Sequence, residues 1–156
     1  MESLGGLLPR TEMIRELHAA DVESLRRLLS TVPEATQWSA DDFLLASQRN
    51  FFVRVAEEER KVCGLVAFRM MADEAEILNL AVDSRVRRRG MGSRLIEDAM
   101  AALKAAGIKK IFLEVRESNE AARSFYARMG FTEARRRRDY YREPAEDAFV
   151  LVRTVE

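Results

Sequence analysis

The chain has 156 residues, with 26 Lys and Arg against 26 Asp and Glu, one histidine and one cysteine. That length supports one core of ordinary size, and a formal net charge of zero offers no bulk attraction to nucleic acid or an anionic membrane. The lone Cys63 rules out a disulfide framework, and the N-terminus lacks the basic start and long apolar core of a signal peptide, so a cytoplasmic protein is expected.

Residues 1–10 read as a poorly ordered leader and 11–156 as a single domain. A short alternating segment at 13–17 predicts a first strand. Two helices follow. Asp21 stands where it can cap the first, whose apolar side is Val22, Leu25, Leu28 and Leu29; Ser39 caps the second, with Asp42 completing a capping box. Trp38 lies in the connection between them. Segments 51–56 and 62–71 predict strands on either side of the charged turn EEERK, and 75–82 the next strand, so the chain starts antiparallel. The order then changes to helix 91–106, strand 110–115, helix 119–129 and strand 131–136. A last strand, 148–154, follows a loop containing Pro144. Strand 75–82, helix 91–106 and strand 110–115 make a βαβ unit, whose crossover is parallel and right-handed. The expected fold is α/β (α+β): a mixed central sheet of about seven strands and about four helices, with an antiparallel N-terminal half and a parallel βαβ core.

The densest chemical signal is ILNLAVDSRVRRRGMG, residues 77–92, where an apolar strand pattern runs into an arginine-rich loop with two glycines. Beyond it, Leu95, Ile96, Ala99, Met100 and Leu103 recur at helical spacing, so Gly90 and Gly92 stand where a helix begins. The first turn of a helix presents N–H groups and a positive dipole end that attract phosphate, and Arg87, Arg88 and Arg89 add charge of the same sign. GMGSRL is close to the dinucleotide fingerprint G-x-G-x-x-G, with Glu114 near the offset of a ribose-binding acid. However, Leu95 replaces the third glycine, and residues 115–156 are too few for the rest of a doubly wound sheet. A phosphate-binding loop of the glycine-lysine-serine/threonine kind has no matching sequence.

Arg87-Arg88-Arg89-Gly90-Met91-Gly92 resembles the R/Q-x-x-G-x-G/A signature of the GNAT superfamily of acetyl-CoA-dependent N-acetyltransferases, placed as there between a strand and a helix. The likeness continues through NLAVD (79–83), LEVRESNEAARSFYARMGF (113–131), RRDYY (137–141) and EDA (146–148), and within the superfamily it is most similar to the bacterial RimI-type alanine N-terminal acetyltransferases of a small-subunit ribosomal protein. The resemblance implies that the backbone of Leu80, Ala81 and Val82 binds the acetyl and pantetheine arm of acetyl-CoA. It further implies that Arg88, Arg89, Gly90, Met91, Gly92 and Ser93 hold the pyrophosphate beside Arg87. The implied partners are acetyl-CoA and a peptide or protein N-terminus, such as that of a ribosomal protein. No metal, membrane or nucleic-acid partner is expected.

Acetyl transfer to an amine needs an uncharged amine, stabilisation of a tetrahedral oxyanion, and a proton for the departing thiolate. Glu114 lies in KIFLEV, on the strand face opposite Ile111, Leu113 and Val115; an acid there is costly unless paired, so it is either a base or a salt-bridge partner, most simply of Arg116. The resemblance implies that it is the general base. Tyr126 follows Asn119 by two helical turns. With Phe125, Ala122 and Met129 it can be core, while the resemblance implies general acid toward the thiolate, and a cofactor contact for Asn119, which can otherwise serve as a helix cap. Arg135–Arg138 with Asp139 reads either as a charged edge strand or as a substrate wall. In the second reading Tyr140 and Tyr141 frame the acceptor, as does Trp38. Gln37 before Trp38, where proline is usual, and a short loop REPAEDA weaken the acceptor assignment. Acetylation of a lysine or a small amine, or a non-catalytic acetyl-CoA sensor or ribosomal-RNA-docking protein, are the alternatives. Direct transfer in a ternary complex is expected, because Cys63 is poorly placed as a nucleophile.

Overall fold

Strand β3, Lys61–Met71, carries KVCGLVAF, a run buried from Val62 to Phe68, as a strand covered on both faces must be. Around it the computed structural model describes residues 12–87 and 90–155. The leader expected at 1–10 and the arginines at 88 and 89 lie outside the described residues. The strands are β1 (Glu12–Glu16), β2 (Phe51–Glu58), β3, β4 (Glu74–Val82), β5 (Lys110–Arg116), β6 (Thr132–Arg142) and β7 (Ala145–Thr154). They form one seven-stranded sheet in the order β1-β2-β3-β4-β5-β7-β6. The helices are α1 (Val22–Thr31), α2 (Ala40–Ser47), α3 (Met91–Ala105) and α4 (Glu120–Arg128). Among the described residues no helix is long and apolar enough to cross a membrane.

The chain divides into two compact units. One comprises the residues up to Ala67 with Asn79–Asp98; the other comprises Phe68–Leu78 with the residues from Ala99 onward.

In the first unit β1 lies antiparallel on β2, from Glu12 opposite Glu58 to Glu16 opposite Arg54. Leu25 and Leu28 of α1 and Phe43 of α2 are buried with Val53, Val55 and Leu65 in one apolar cluster, against which Trp38 packs. Trp38 meets Phe43 at 5.1 Å and Phe51 at 5.8 Å between ring centroids, so most of its contact is with core. The α2 capping box forms as its sequence predicts: Ser39 Oγ accepts the Asp42 N–H at 3.1 Å, and the Asp42 carboxylate accepts the Ser39 N–H at 2.8 Å. Asp21 does not cap α1. Its carboxylate takes both terminal nitrogens of Arg15 at 2.8 Å and the His18 N–H at 2.7 Å, because a bidentate arginine is a stronger partner than a helix N–H.

In the second unit β4 and β5 are parallel, with Glu74, Ala75 and Glu76 opposite Lys110, Ile111 and Phe112. β5 runs antiparallel to β7 along its whole length, from Lys110 opposite Thr154 to Arg116 opposite Ala148. The two C-terminal strands are longer than expected. Pairing with β7 carries β6 past 136 to Arg142, across two register shifts, and β7 begins at Ala145 after a cis Glu143–Pro144 bond. Tyr140 and Tyr141 are therefore strand residues of β6, not residues of a loop.

Candidate active site

Between β4 and α3 the chain turns sharply, and Asp83 organises the turn. Its N–H donates to the Cys63 carbonyl at 2.8 Å. Its buried carboxylate accepts the Arg85 N–H at 2.9 Å and an Arg85 guanidinium nitrogen at 2.7 Å, which holds that carboxyl below the usual range. Arg87 Nε donates to the Val82 carbonyl at 3.2 Å, tying an exposed arginine to the end of β4. Gly90 has φ +74°, a left-handed conformation that suits glycine, and a Cβ there would stand 3.8 Å from Arg94 Nη1. The first bond of α3 runs from the Arg94 N–H to the Gly90 carbonyl at 3.0 Å, so the N–H groups of Met91, Gly92 and Ser93 precede it and are directed out of the first turn. Glycine-bared backbone, helix N–H groups and an exposed arginine are the donor set a pyrophosphate requires, so these residues fit such a group.

The first turn of α3 is held close to the sheet by Gly64. A Cβ there would come within 2.9 Å of Leu95 Cδ1 and 3.5 Å of Met91 Cγ and the Ala81 carbonyl. Ala81 is buried while Leu80 and Val82 are partly open, so this stretch of β4 belongs both to the core and to the surface the turn presents.

In the second unit β5 alternates strictly: Ile111, Leu113 and Val115 are buried, while Phe112, Glu114 and Arg116 are partly open. Glu114 is opposite Val150, and Val150 is opposite Arg135, so these three share the face of the sheet on which Arg137 also stands. The Glu114 side chain is 15% exposed and has Arg137 Nε 3.5 Å from Oε1. The Glu114 carboxylate, ahead of burial, pushes the Tyr140 phenol up. The partner of Glu114 is thus Arg137, not Arg116. Arg116 is engaged elsewhere: it donates to Glu146 Oε1 at 3.2 Å and the Pro144 carbonyl at 3.1 Å, and its guanidinium lies 4.1 Å over the Tyr141 ring. Burial, then the nearby Glu114, push the Tyr141 phenol up. Tyr140 and Tyr141 meet edge to face at 5.2 Å.

Tyr126 is buried on α4 between Phe125 and Phe131, at 5.0 and 5.4 Å, and burial raises its phenol well above the ordinary range, so it stays protonated. Asn119 caps α4, its Oδ1 accepting the Ala122 N–H at 3.1 Å; it is exposed. Trp38 lies in the first unit, lining an open hollow of about 340 Å³ with Leu45, Arg49 and Phe51. Within the second unit, then, Glu114, Tyr140, Tyr141 and Arg137 come together, while Tyr126 stands on a helix of its own. The role of Asp83 and the pairing of Arg137 with Glu114 escaped the sequence reading: Arg137 stood in a run of four arginines read as an edge strand or a substrate wall, 23 positions from its acid, and only strand register joins the two. Among the described residues no cluster of His, Cys, Asp and Glu is placed to hold a metal ion.

The acetyltransferase (GNAT) family model matches residues 12–131. The [ribosomal protein bS18]-alanine N-acetyltransferase of Escherichia coli (strain K12) is 33% identical over 119 residues, covering 75% of this chain and 80% of that protein. The crystal structure of the ribosomal-protein-S18-alanine N-acetyltransferase from Escherichia coli superposes with a TM-score of 0.81 at 28% identity, covering 94% of this chain and 95% of that one. Ard1 from Thermoplasma volcanium gives 0.79 at 28% identity, covering 93% and 98%.

Proposed function

The chain belongs to the acetyltransferase (GNAT) family and is an acetyl-CoA-dependent N-acetyltransferase, and from that premise we propose that it acetylates the N-terminal α-amine of a protein, the acceptor being the N-terminal alanine of a small-subunit ribosomal protein. The observation that carries this reading is Glu114: a partly open carboxylate in the middle of a strand, approached by an arginine only at 3.5 Å. An acid in a short bidentate ion pair, as Asp21 is, has both oxygens engaged at 2.8 Å and gives up more to take a proton than Glu114 does.

Acetyl-CoA, when bound, supplies the acetyl group as a thioester whose carbon receives the amine and whose sulfur leaves. The main chain of Leu80, Ala81 and Val82 binds its amide-rich arm in the manner of an added strand. Arg87, Arg88, Arg89, Gly90, Met91, Gly92 and Ser93 bind its pyrophosphate, with Asn119 as a further contact. Glu114 takes the proton that the attacking α-amine loses. Tyr126, kept neutral by burial, returns a proton to the thiolate, and a carbon–nitrogen bond replaces the carbon–sulfur bond. Tyr140, Tyr141 and Trp38 frame the acceptor. Transfer is direct within a ternary complex, supported by the burial of Cys63, whose thiol is pushed up to about 11, mainly by desolvation, and so is poorly suited to nucleophilic attack.

Turnover of acetyl-CoA against short peptides with different free N-terminal residues, including alanine, and against an α-blocked peptide bearing lysine, tests the assignment. Acetylation of the alanine N-terminus is expected. Activity confined to lysine or to small amines would overturn the acceptor, and no turnover on any amine, with salt-steep RNA binding, would overturn the enzymatic reading in favour of docking.

A further inference from the structure

One guanidinium fastens the turn between β6 and β7. Arg116, at the end of β5, donates from Nη1 to the Pro144 carbonyl at 3.1 Å and to Glu146 Oε1 at 3.2 Å, and from Nη2 to the Glu143 carbonyl at 3.4 Å. Its guanidinium carbon lies 4.1 Å from the centroid of the Tyr141 ring. All these partners stand between 141 and 146, and a planar fork meets them together as a lysine ammonium cannot. Glu146 carries the fastening onward: Oε1 takes Arg116, and Oε2 accepts the Ser118 N–H at 2.5 Å. Beside it the Glu117 N–H donates to the Asp147 carbonyl at 3.1 Å, and the Asn119 N–H to the Arg116 carbonyl at 3.0 Å. The β6–β7 turn is thereby tied to the turn that starts α4.

Strand register sets this network beside Glu114. Glu114 is opposite Val150, Arg116 opposite Ala148 and Tyr141 opposite Glu146, so Glu114, Arg116, Glu146 and Tyr141 share one face of the sheet. Arg116 follows Glu114 by two residues, about 7 Å of extended chain, which is also the reach from an amine at the carboxylate to the second and third residues behind it. We propose that Arg116 and Glu146 are positioning residues for acceptor selection: they hold the Tyr141 ring and the turn at 143–145 as a fixed wall against the second and third residues of the acceptor. The inference rests on the acceptor being a peptide N-terminus whose amine meets Glu114. Residues 142–145 are exposed, and an exposed turn left loose adapts to whatever side chain arrives; a fastened one makes a misfit costly, which is what selectivity requires.

Initial rates on peptides that share an N-terminal alanine and differ at the second and third residues test this, because general damage lowers every rate by one factor and leaves the ratios alone. The parent is expected to spread over about tenfold or more in kcat/KM across the panel. Arg116→Ala should shrink that spread to about twofold, with the KM for acetyl-CoA within about twofold of the parent's. Arg116→Lys, which keeps the charge and loses the fork, should flatten the spread nearly as far. Glu146→Ala should do the same and carries the test alone if Arg116→Ala does not fold, as judged by circular dichroism; Glu146→Gln, with one accepting oxygen in place of two, should fall between. A parent that takes all second and third residues alike, or a spread that survives Arg116→Ala or Glu146→Ala, would overturn the wall and leave the network a fastening of the fold. A spread kept in full by Arg116→Lys would overturn it in favour of a simple charge contact. Turnover by the parent of lysine or small amines only would overturn the acceptor reading itself, and the wall with it.

Discussion

Gly64→Ala joins the core to the turn proposed to hold the cofactor in a single perturbation. The added methyl would stand 2.9 Å from Leu95 Cδ1, nearer than side-chain carbons approach, and Leu95 is completely buried, so its tip has no open space to move into. Overpacking of this kind costs about 1–3 kcal/mol. Against it, alanine loses less chain entropy on folding than glycine and recovers about 0.5–1 kcal/mol. The net expectation is a loss of about 0.5–2 kcal/mol, or a Tm lowered by about 2–6 °C for a chain of this length. Relief of the clash pushes Leu95 and Met91 outward and carries the first turn of α3 with them, so the KM for acetyl-CoA should rise severalfold while kcat at saturation changes little. Thermal unfolding by circular dichroism and initial rates across acetyl-CoA concentrations read the two effects. A variant as stable as the parent with an unchanged KM would show that the α3 turn does not depend on the close approach at Gly64, and the argument would fail.

Glu114→Gln keeps the shape, so its stability should change by under about 1 kcal/mol, since the pairing with Arg137 is partly exposed. Its kcat should fall about 100-fold or more, with acetyl-CoA affinity retained by calorimetry; turnover within a factor of about two would reject Glu114 as base. Cys63→Ala should keep parental turnover, and mass spectrometry of the parent enzyme held with acetyl-CoA alone should find no acetyl adduct at that residue; an adduct there would overturn direct transfer. Asp21, held below the ordinary carboxylate range mainly by Arg15, contributes stability that is present above its unfolded value and lost as pH falls through its folded one. Asp21→Asn should therefore cost about 2 kcal/mol near neutrality and progressively less as pH falls from the unfolded carboxylate value through the folded one, a convergence that urea midpoints across pH would reveal or refute.

How far each feature was legible depended on the range of the interaction behind it. The α2 capping box is a contact between residues three apart, and its spelling, Ser39 then Asp42, is also its geometry. The alternation of KIFLEV separated Glu114 from the apolar face of β5 before any packing was considered, because strand period is a property of the backbone. The Asp21 cap failed for the complementary reason: a local rule placed it at the start of α1, while Arg15, brought near by the path of the chain out of β1, made the better partner. In β6 local pattern ended the strand at 136, since arginine runs carry no strand signal, whereas pairing with β7 extended it to Arg142.

The amino-acid sequence alone determined the order of elements, the βαβ core, the glycine-bearing turn between β4 and α3, and the family, because each is written in periodicity or in contiguous motifs. Only tertiary structure decided that Arg137 and not Arg116 stands against Glu114, and that Asp147 accepts the Asp139 N–H at the irregularity of β6. Those relations depend on which residues of β5, β6 and β7 are opposite one another, and a bulge of two residues resets that register without leaving a mark in composition or spacing.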